Sequence, residues 1–169
     1  MGHPKKLRKK YETPKKPYDK ERLDEEKKLM KEFGLKKKQE LWRAESILRN
    51  YRRRAREIQT EKSKGKEKEI IDKLSKLGLV APNSTLDNVL SLTVEDLLER
   101  RLQTQVFRRG LSKTIKQSRQ LIAHGHVLIE GRKILWPSYI VKVGEEDKIE
   151  VDQVQANPAT IKEGENEKK

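Results

Sequence analysis

The sequence predicts an α+β fold, in which a helical N-terminal domain precedes a small C-terminal helix-helix-strand module. Three observations carry that expectation. Apolar residues recur at helical spacing as far as Gly125 and at a period near two beyond it. Only 33% of the residues are hydrophobic while 40% are charged, so the chain has material for small cores but not for one large one. The net charge of +14 is gathered in blocks instead of being dispersed.

The elements follow in order. Residues 1–18 hold Pro4, Pro14 and Pro17 among lysines and arginines, with almost no apolar side chain. Such a segment cannot bury enough surface to offset its chain entropy, and it reads as an extended basic arm that orders on binding. Residues 19–99 read as the helical domain. Its first helix starts at Asp19, places Leu23, Met30 and Phe33 on one face and stops at Gly34. A longer helix carries the stripe Leu41, Ala44, Leu48, Tyr51, Ala55 and Ile58 over about five turns. The charged segment 62–69 reads as a loop or weak helix start. Ile70, Ile71, Leu74 and Leu77 form a short amphipathic helix closed by Gly78, and Pro82-Asn83-Ser84 is a connection.

Thr85 is placed to cap a short helix through Leu90. Thr93 with Asp96 resembles a capping box for a helix running through Leu97, Leu98, Leu102 and Val106 to Gly110. Ser112 is placed to cap the next helix, with Ile115, Leu121 and Ile122 buried and its end at His124-Gly125. Beyond that, His126–Glu130 and Arg132–Ile134 read as strands around Gly131. Tyr139–Val143 and Lys148–Val151 read as two more strands, joined by a turn over residues 144–147. Residues 100–152 thus make the second module, and 153–169 read as a polar, disordered tail.

Composition restricts function. No apolar run approaches the roughly 18 residues that span a bilayer, and the N-terminal MGHPKKLRKK lacks the apolar stretch of a secretory signal. With no cysteine, disulfides and thiolate metal sites are excluded, which fits a cytosolic protein. Residues 1–62 hold 22 Lys/Arg against 11 Asp/Glu, and residues 63–99 hold 5 against 7. Residues 100–136 hold 9 against 1, and the remainder 5 against 8. Two basic blocks separated by a near-neutral segment suggest two contact surfaces for a polyanion.

The first block centres on Arg52, Arg53, Arg54 and Arg56. A solvated helix face is the bland alternative, but four arginines in five positions exceed what solubility needs. In the second block, Lys113, Lys116, Gln117 and Gln120 are spaced to share one helix face, which Arg119 flanks. Cations on a rigid helix suit phosphate oxygens, and glutamines can also read base edges or 2′-hydroxyls. Arg100 and Arg101, Arg108 and Arg109, and the hairpin-tip pair Arg132 and Lys133 edge this platform. His124 and His126 have no nearby carboxylate or thiol partner, so a helix end with RNA contact fits them better than a metal or acid–base site. Trp136 and Tyr139 read as core or interface residues before base-stacking ones.

The run ERRLQTQVFRRGLSKTIKQSRQLIAHGHVLIEGRKILWPSYIVKVGEEDKIEV closely resembles the RNA-binding domain named after the fourth protein of the small ribosomal subunit, the S-four domain. The matching elements are Glu99-Arg100-Arg101-Leu102, Gly110-Leu111-Ser112-Lys113, Ser118 to Ile122, His124 to Val127, Gly131 and Pro137-Ser138-Tyr139. Tyr11 to Pro14 with Pro17, Arg22-Leu23-Asp24, Glu32 to Leu35 and Leu41-Trp42-Arg43 resemble the archaeal and eukaryotic form of that ribosomal protein family. His124-Gly125-His126 and the short chain look archaeal.

The resemblance implies a structural constituent of the small subunit, cytoplasmic and ribosome-bound. Its RNA site would comprise the residues above, including Ser112 and Gly125. It would bind the 5′ domain of small-subunit ribosomal RNA at a multi-helix junction and nucleate assembly of the subunit body. It would neighbour the fifth and twelfth small-subunit proteins and influence decoding accuracy with them. No catalytic residue, metal, cofactor, membrane or small-molecule substrate is implied. Bacterial relatives often hold their N-terminal region with a cysteine zinc site, for which packing around Leu41, Trp42 and Tyr51 must substitute here. The same domain also occurs in RNA-modifying enzymes and in a heat-shock protein. The 99 residues before Arg100 hold no glycine-rich phosphate loop or pocket-sized apolar pattern for an enzyme. The stress factor is expected to lack the Tyr11–Arg43 segment, and a purely protein-binding helical scaffold fits the two charge blocks poorly.

Overall fold

Helical periodicity dominates the first two-thirds of the chain, and a three-stranded sheet closes it, in a computed structural model that describes residues 9–61 and 64–152. The expectations for residues 1–8, 62–63 and 153–169 lie outside the described residues. The helices are α1 (Lys20–Glu32), α2 (Lys38–Glu61), α3 (Lys64–Lys76), α4 (Leu86–Ser91), α5 (Val94–Glu99), α6 (Leu102–Arg108) and α7 (Ile115–Ala123). The strands are β1 (Val127–Ile129), β2 (Arg132–Lys133) and β3 (Ile149–Val151).

The 24-residue α2 is the spine of the N-terminal half. Its stripe of Leu41, Ala44, Leu48, Ala55 and Ile58 is buried as the spacing requires, with Tyr51 partly buried against the same cluster. Phe33 and Leu35, the apolar faces of α3 and α4, and Leu97 and Leu98 of α5 complete this core. Its N-terminal end is fastened by polar groups. The Trp42 indole donates to the buried Glu26 carboxylate at 3.1 Å, and Lys38 pairs with Glu26 at 2.9 Å. Tyr11 packs on Trp42 with ring centroids 5.9 Å apart, so part of the arm lies against α2. Burial opposes the charge on Glu26, but hydrogen bonds from Lys38 and Trp42 outweigh it and hold the carboxyl below its ordinary range.

A second core joins α6, α7 and the sheet through Leu102, Val106, Ile122, Val127, Ile129, Val141 and Ile149. The sheet is antiparallel in the order β2-β1-β3, with Ile129 opposite both Arg132 and Ile149. Glu130 and Gly131 form a two-residue hairpin loop with φ of 52° and 76°, the conformation that matches strand twist.

Five local expectations are corrected. The helix expected through Leu97 to Gly110 is broken at Arg100-Arg101, because Arg101 turns extended and forms a β-bridge with Ile140. The Leu102 amide then donates to Tyr139 O at 2.7 Å, which starts α6 afresh. Tyr139–Val143 is correspondingly not a strand. Its partner is that single bridge, and the expected turn after it is a 3-10 helix over Val143–Lys148. Thr114, not Ser112, caps α7 by accepting from the Gln117 amide, while the Ser112 hydroxyl bonds that of Ser118. Thr85 does precede α4, but its side chain makes no capping bond.

Gly34 shows how closely the two halves approach. Its φ is +58°, and a Cβ there would lie 2.8 Å from Ile115 Cγ2 and 2.9 Å from Gln103 Nε2. Gly34→Ala therefore combines a left-handed backbone penalty of about 1 kcal/mol with a steric clash. Urea unfolding should show a loss of about 2 kcal/mol or more, whereas Gly65→Ala, which meets nothing within 4 Å, should not destabilise.

Candidate nucleic-acid interface

The basic residues of the second block divide into two sets that the sequence does not distinguish. One set is turned inward. Glu40, at the start of α2, receives Arg119 Nη2 at 2.8 Å and Arg119 Nη1 at 3.0 Å, one bond on each carboxylate oxygen. Arg101 Nη2 adds a third bond at 2.8 Å, and its side chain is only 7% exposed. Beside this clamp lies the wholly buried Gln103, whose amide nitrogen donates to Gly34 O and Ile115 O, each at 3.1 Å. Arg101 and Arg119 therefore join the second module to α2 and are not free for a partner. Neither Glu40 nor Gln103 has a signal in the sequence, because a lone glutamate in a basic helix start and a glutamine beside Leu102 look like surface residues.

Arg100 is likewise engaged. It donates to Val141 O at 3.0 Å and pairs with Glu146, which Arg109 approaches at 3.7 Å while also reaching Asp147 at 3.2 Å. Arg108 pairs with Glu99 at 3.1 Å on the exposed surface. These contacts neutralise the acidic 3-10 helix from within the chain.

The other set faces solvent. Lys113, Lys116, Gln117, Gln120, His124, Arg132 and Lys133 are exposed, and none of their cations forms an ion pair among the described residues. Lys113 lies just ahead of α7 instead of on it, and its amide donates to the Gln117 side chain at 2.9 Å. That bond occupies the Gln117 carbonyl oxygen. Ser112 is half-buried, and its hydroxyl bonds that of Ser118. Gly125, with φ of 78°, ends α7 between His124 and the half-buried His126, whose rings are 6.3 Å apart. Among the described residues, no three His, Cys, Asp or Glu side chains are grouped to hold a metal ion.

The arginines of α2 also divide. Arg53, Arg54 and Arg56 are exposed, while Arg52 is half-buried and donates to Leu92 O. Arg52 and Arg56, with Arg49 one turn earlier, line a groove of about 290 Å³ that Glu45, Leu48 and Val94 complete. Arg49 is not among the residues expected from sequence, although its i−3 and i−7 relation to Arg52 and Arg56 places the three on one face. In the groove, burial and the nearby Glu26 carboxylate raise the Glu45 carboxyl above its ordinary range. No helix of the described residues is long and apolar enough to cross a membrane.

Residues 100–147 match the S4 domain family. Over longer stretches the chain is similar to proteins named small ribosomal subunit protein uS4. It is 51% identical to that of Methanothermobacter thermautotrophicus over 152 residues, covering 88% of this chain and 89% of the relative. It is 53% identical to that of Ignicoccus hospitalis over 152 residues, covering 88% and 92% respectively. For that of Nanoarchaeum equitans the identity is 53% over 148 residues, covering 85% and 82%.

The Glu40 clamp has a pH signature. Burial disfavours the carboxylate, but the hydrogen bonds and charges of Arg119 and Arg101 prevail and lower its pKa below the usual glutamate value. A depressed carboxyl pKa contributes stability that is present above the unfolded value and lost as pH falls through the folded one. Stability should thus decline as pH drops below about 4.3, and Glu40→Gln should flatten that decline. At neutral pH the same change should cost about 2–3 kcal/mol in urea unfolding, because it leaves buried Arg101 without its counter-charge.

Proposed function

This chain belongs to the uS4 family of small ribosomal subunit proteins, archaeal type, and from that premise we propose that it binds small-subunit ribosomal RNA as a structural constituent of the ribosome in the cytoplasm. The observation that carries the reading is the division of its cations. Carboxylates of the chain itself already hold Arg100, Arg101, Arg109 and Arg119, while Lys113, Lys116, Arg132 and Lys133 stand unpaired on one module among the described residues. Unpaired cations on a fixed framework displace counterions from a phosphate backbone, which makes binding favourable and steeply salt-dependent.

The RNA contacts we assign are Lys113, Lys116, Gln120, His124, Arg132 and Lys133 on the second module. On α2 they are Arg53, Arg54 and Arg56, with Arg52 in the adjoining groove beside Arg49, which pairs with Glu12. Ser112, Gly125 and His126 shape the end of that surface. Arg100, Arg101, Arg109 and Arg119 act as positioning residues, which revises the role expected for them from sequence. The division at residues 99 and 100 coincides with the break between α5 and α6, and this supports treating 19–99 and 100–152 as two domains. Glu145, Glu146 and Asp147 are each engaged by a Lys or Arg, which supports a structural and not a catalytic role for them.

At a finer level, the two basic surfaces grip a multi-helix junction in the 5′ domain of the RNA early in assembly. The protein thereby nucleates the subunit body, neighbours the fifth and twelfth small-subunit proteins and influences decoding accuracy with them.

Filter binding of the full chain to a small-subunit RNA transcript tests the assignment. Replacing Lys113, Lys116, Arg132 and Lys133 by Ala should weaken binding. It should also reduce the slope of log K against log salt by about 0.7–0.9 for each phosphate that is no longer neutralised. The melting temperature should stay at the parent value, whereas Arg119→Ala should lower it. Parental affinity at every salt concentration would show that the assigned face is wrong.

A further inference from the structure

Trp136 is 67% exposed and Leu135 51% exposed, although aromatic residues make up only 5% of the chain. Sequence context expects Trp136 in a core or an interface, and its exposure removes the core alternative. A tryptophan left in water keeps a large apolar surface unburied, and its flat π-system is available to a ligand.

The ring is carried on a backbone fixed from both sides. Ile134 N–H donates to Val127 O at 3.1 Å and Tyr139 N–H to Trp136 O at 3.1 Å. Gln103 N–H donates to Pro137 O at 3.4 Å, and Leu102 N–H to Tyr139 O at 2.7 Å. A loop tied down in this way has given up its backbone freedom before any ligand arrives, which favours binding. Leu135 lies over Gly125, since a Cβ there would be 3.1 Å from Leu135 Cδ2, and this brings the loop beside His124 and His126.

Charge decides between possible occupants. Of the carboxylates on the hairpin and the 3-10 helix, Glu130 is held by Lys148 and Glu145 by Lys142 and the Tyr139 hydroxyl. Arg132 and Lys133 have no ion-pair partner among the described residues, and Trp136 follows Lys133 by three positions, so their backbones are at most about 11 Å apart. An exposed indole amid surplus cations suits an anionic polymer with flat faces. We propose that Trp136 is a stacking platform for an unpaired RNA base, with Arg132 and Lys133 holding the phosphates next to it. This rests on the RNA-binding reading and adds to it a contact that is not ionic. Stacking releases no counterion, so its contribution adds to affinity without steepening the salt dependence.

The test uses the full chain, its Trp136→Phe and Trp136→Ala variants, and a small-subunit ribosomal RNA transcript. The difference between parent and Trp136→Phe emission isolates Trp136 from Trp42, so it should be quenched as RNA is added. Trp136→Ala should bind about 10-fold more weakly with an unchanged salt slope and melting temperature, and Trp136→Phe should recover part of the loss. RNA binding with no quenching and parental affinity in Trp136→Ala would overturn the platform and leave the RNA-binding reading standing. Trp136 emission that responds only in assembled subunits would overturn it in favour of a protein partner. Failure of the parent itself to bind the transcript would overturn both.

Discussion

The Glu40 carboxylate is the contact on which the relation between the two halves of the molecule depends. It lies at the beginning of α2, yet its three hydrogen bonds come from Arg101 at the entry to α6 and Arg119 in α7. Arg119 meets both oxygens as a two-pronged fork and Arg101 adds a single bond, so the contact fixes orientation as well as distance. Gln103 and Gly34 lie beside it and allow the backbones to come close. A polar joint of this kind is vulnerable, since loss of one member leaves a buried charge uncompensated. It also has a benefit for recognition. Two basic surfaces on a loose tether would each have to be ordered on binding, whereas two surfaces fixed by a clamp would meet the proposed RNA with that cost largely met.

The same clamp explains where the molecule carries its surplus charge. Residues 100–136 hold nine Lys/Arg against one acidic residue. Were all nine cations outward, their mutual repulsion would oppose compaction of a module with a small core. The chain instead supplies carboxylates from outside that stretch, Glu40 from α2 and Glu146 and Asp147 from the 3-10 helix, and these neutralise four of the arginines. What is left unpaired among the described residues is a smaller set on the α7 and hairpin side, well solvated in the free protein and available to phosphates.

Much of this architecture was legible from the sequence, for identifiable reasons. The α2 stripe was legible because its apolar positions recur over many turns and a long helix averages out local ambiguity. The β1–β2 hairpin was legible because Gly131 supplies a positive φ that few residues adopt. The break at Arg100-Arg101 was not legible, because the apolar period continues across it and the bridge to Ile140 is a contact over about 40 positions. Thr114 and Ser112 are both competent caps two residues apart, and only the backbone path selects between them. The site divided along the same line. Clustering marked every basic residue of the 100–136 stretch as a candidate, but pairing with a distant carboxylate leaves no mark in local sequence.

One regularity does separate the two roles in hindsight. The cations that meet carboxylates with their own side chains largely removed from water are all arginine in the second module. Arg100, Arg101, Arg109 and Arg119 have side-chain exposures of 13%, 7%, 28% and 28%. The lysines that pair there, Lys142 and Lys148, are 57% and 56% exposed. An ammonium is strongly hydrated and makes one compact point contact, whereas a guanidinium is more weakly hydrated and can share its donors between oxygens. Burial therefore selects arginine, while an exposed phosphate-binding surface accepts either residue. The unpaired, exposed set mixes Lys113, Lys116 and Lys133 with Arg132. Residue type narrows the field before the fold is known, and Arg132 marks where that criterion stops, since this arginine beside the hairpin loop forms no ion pair among the described residues.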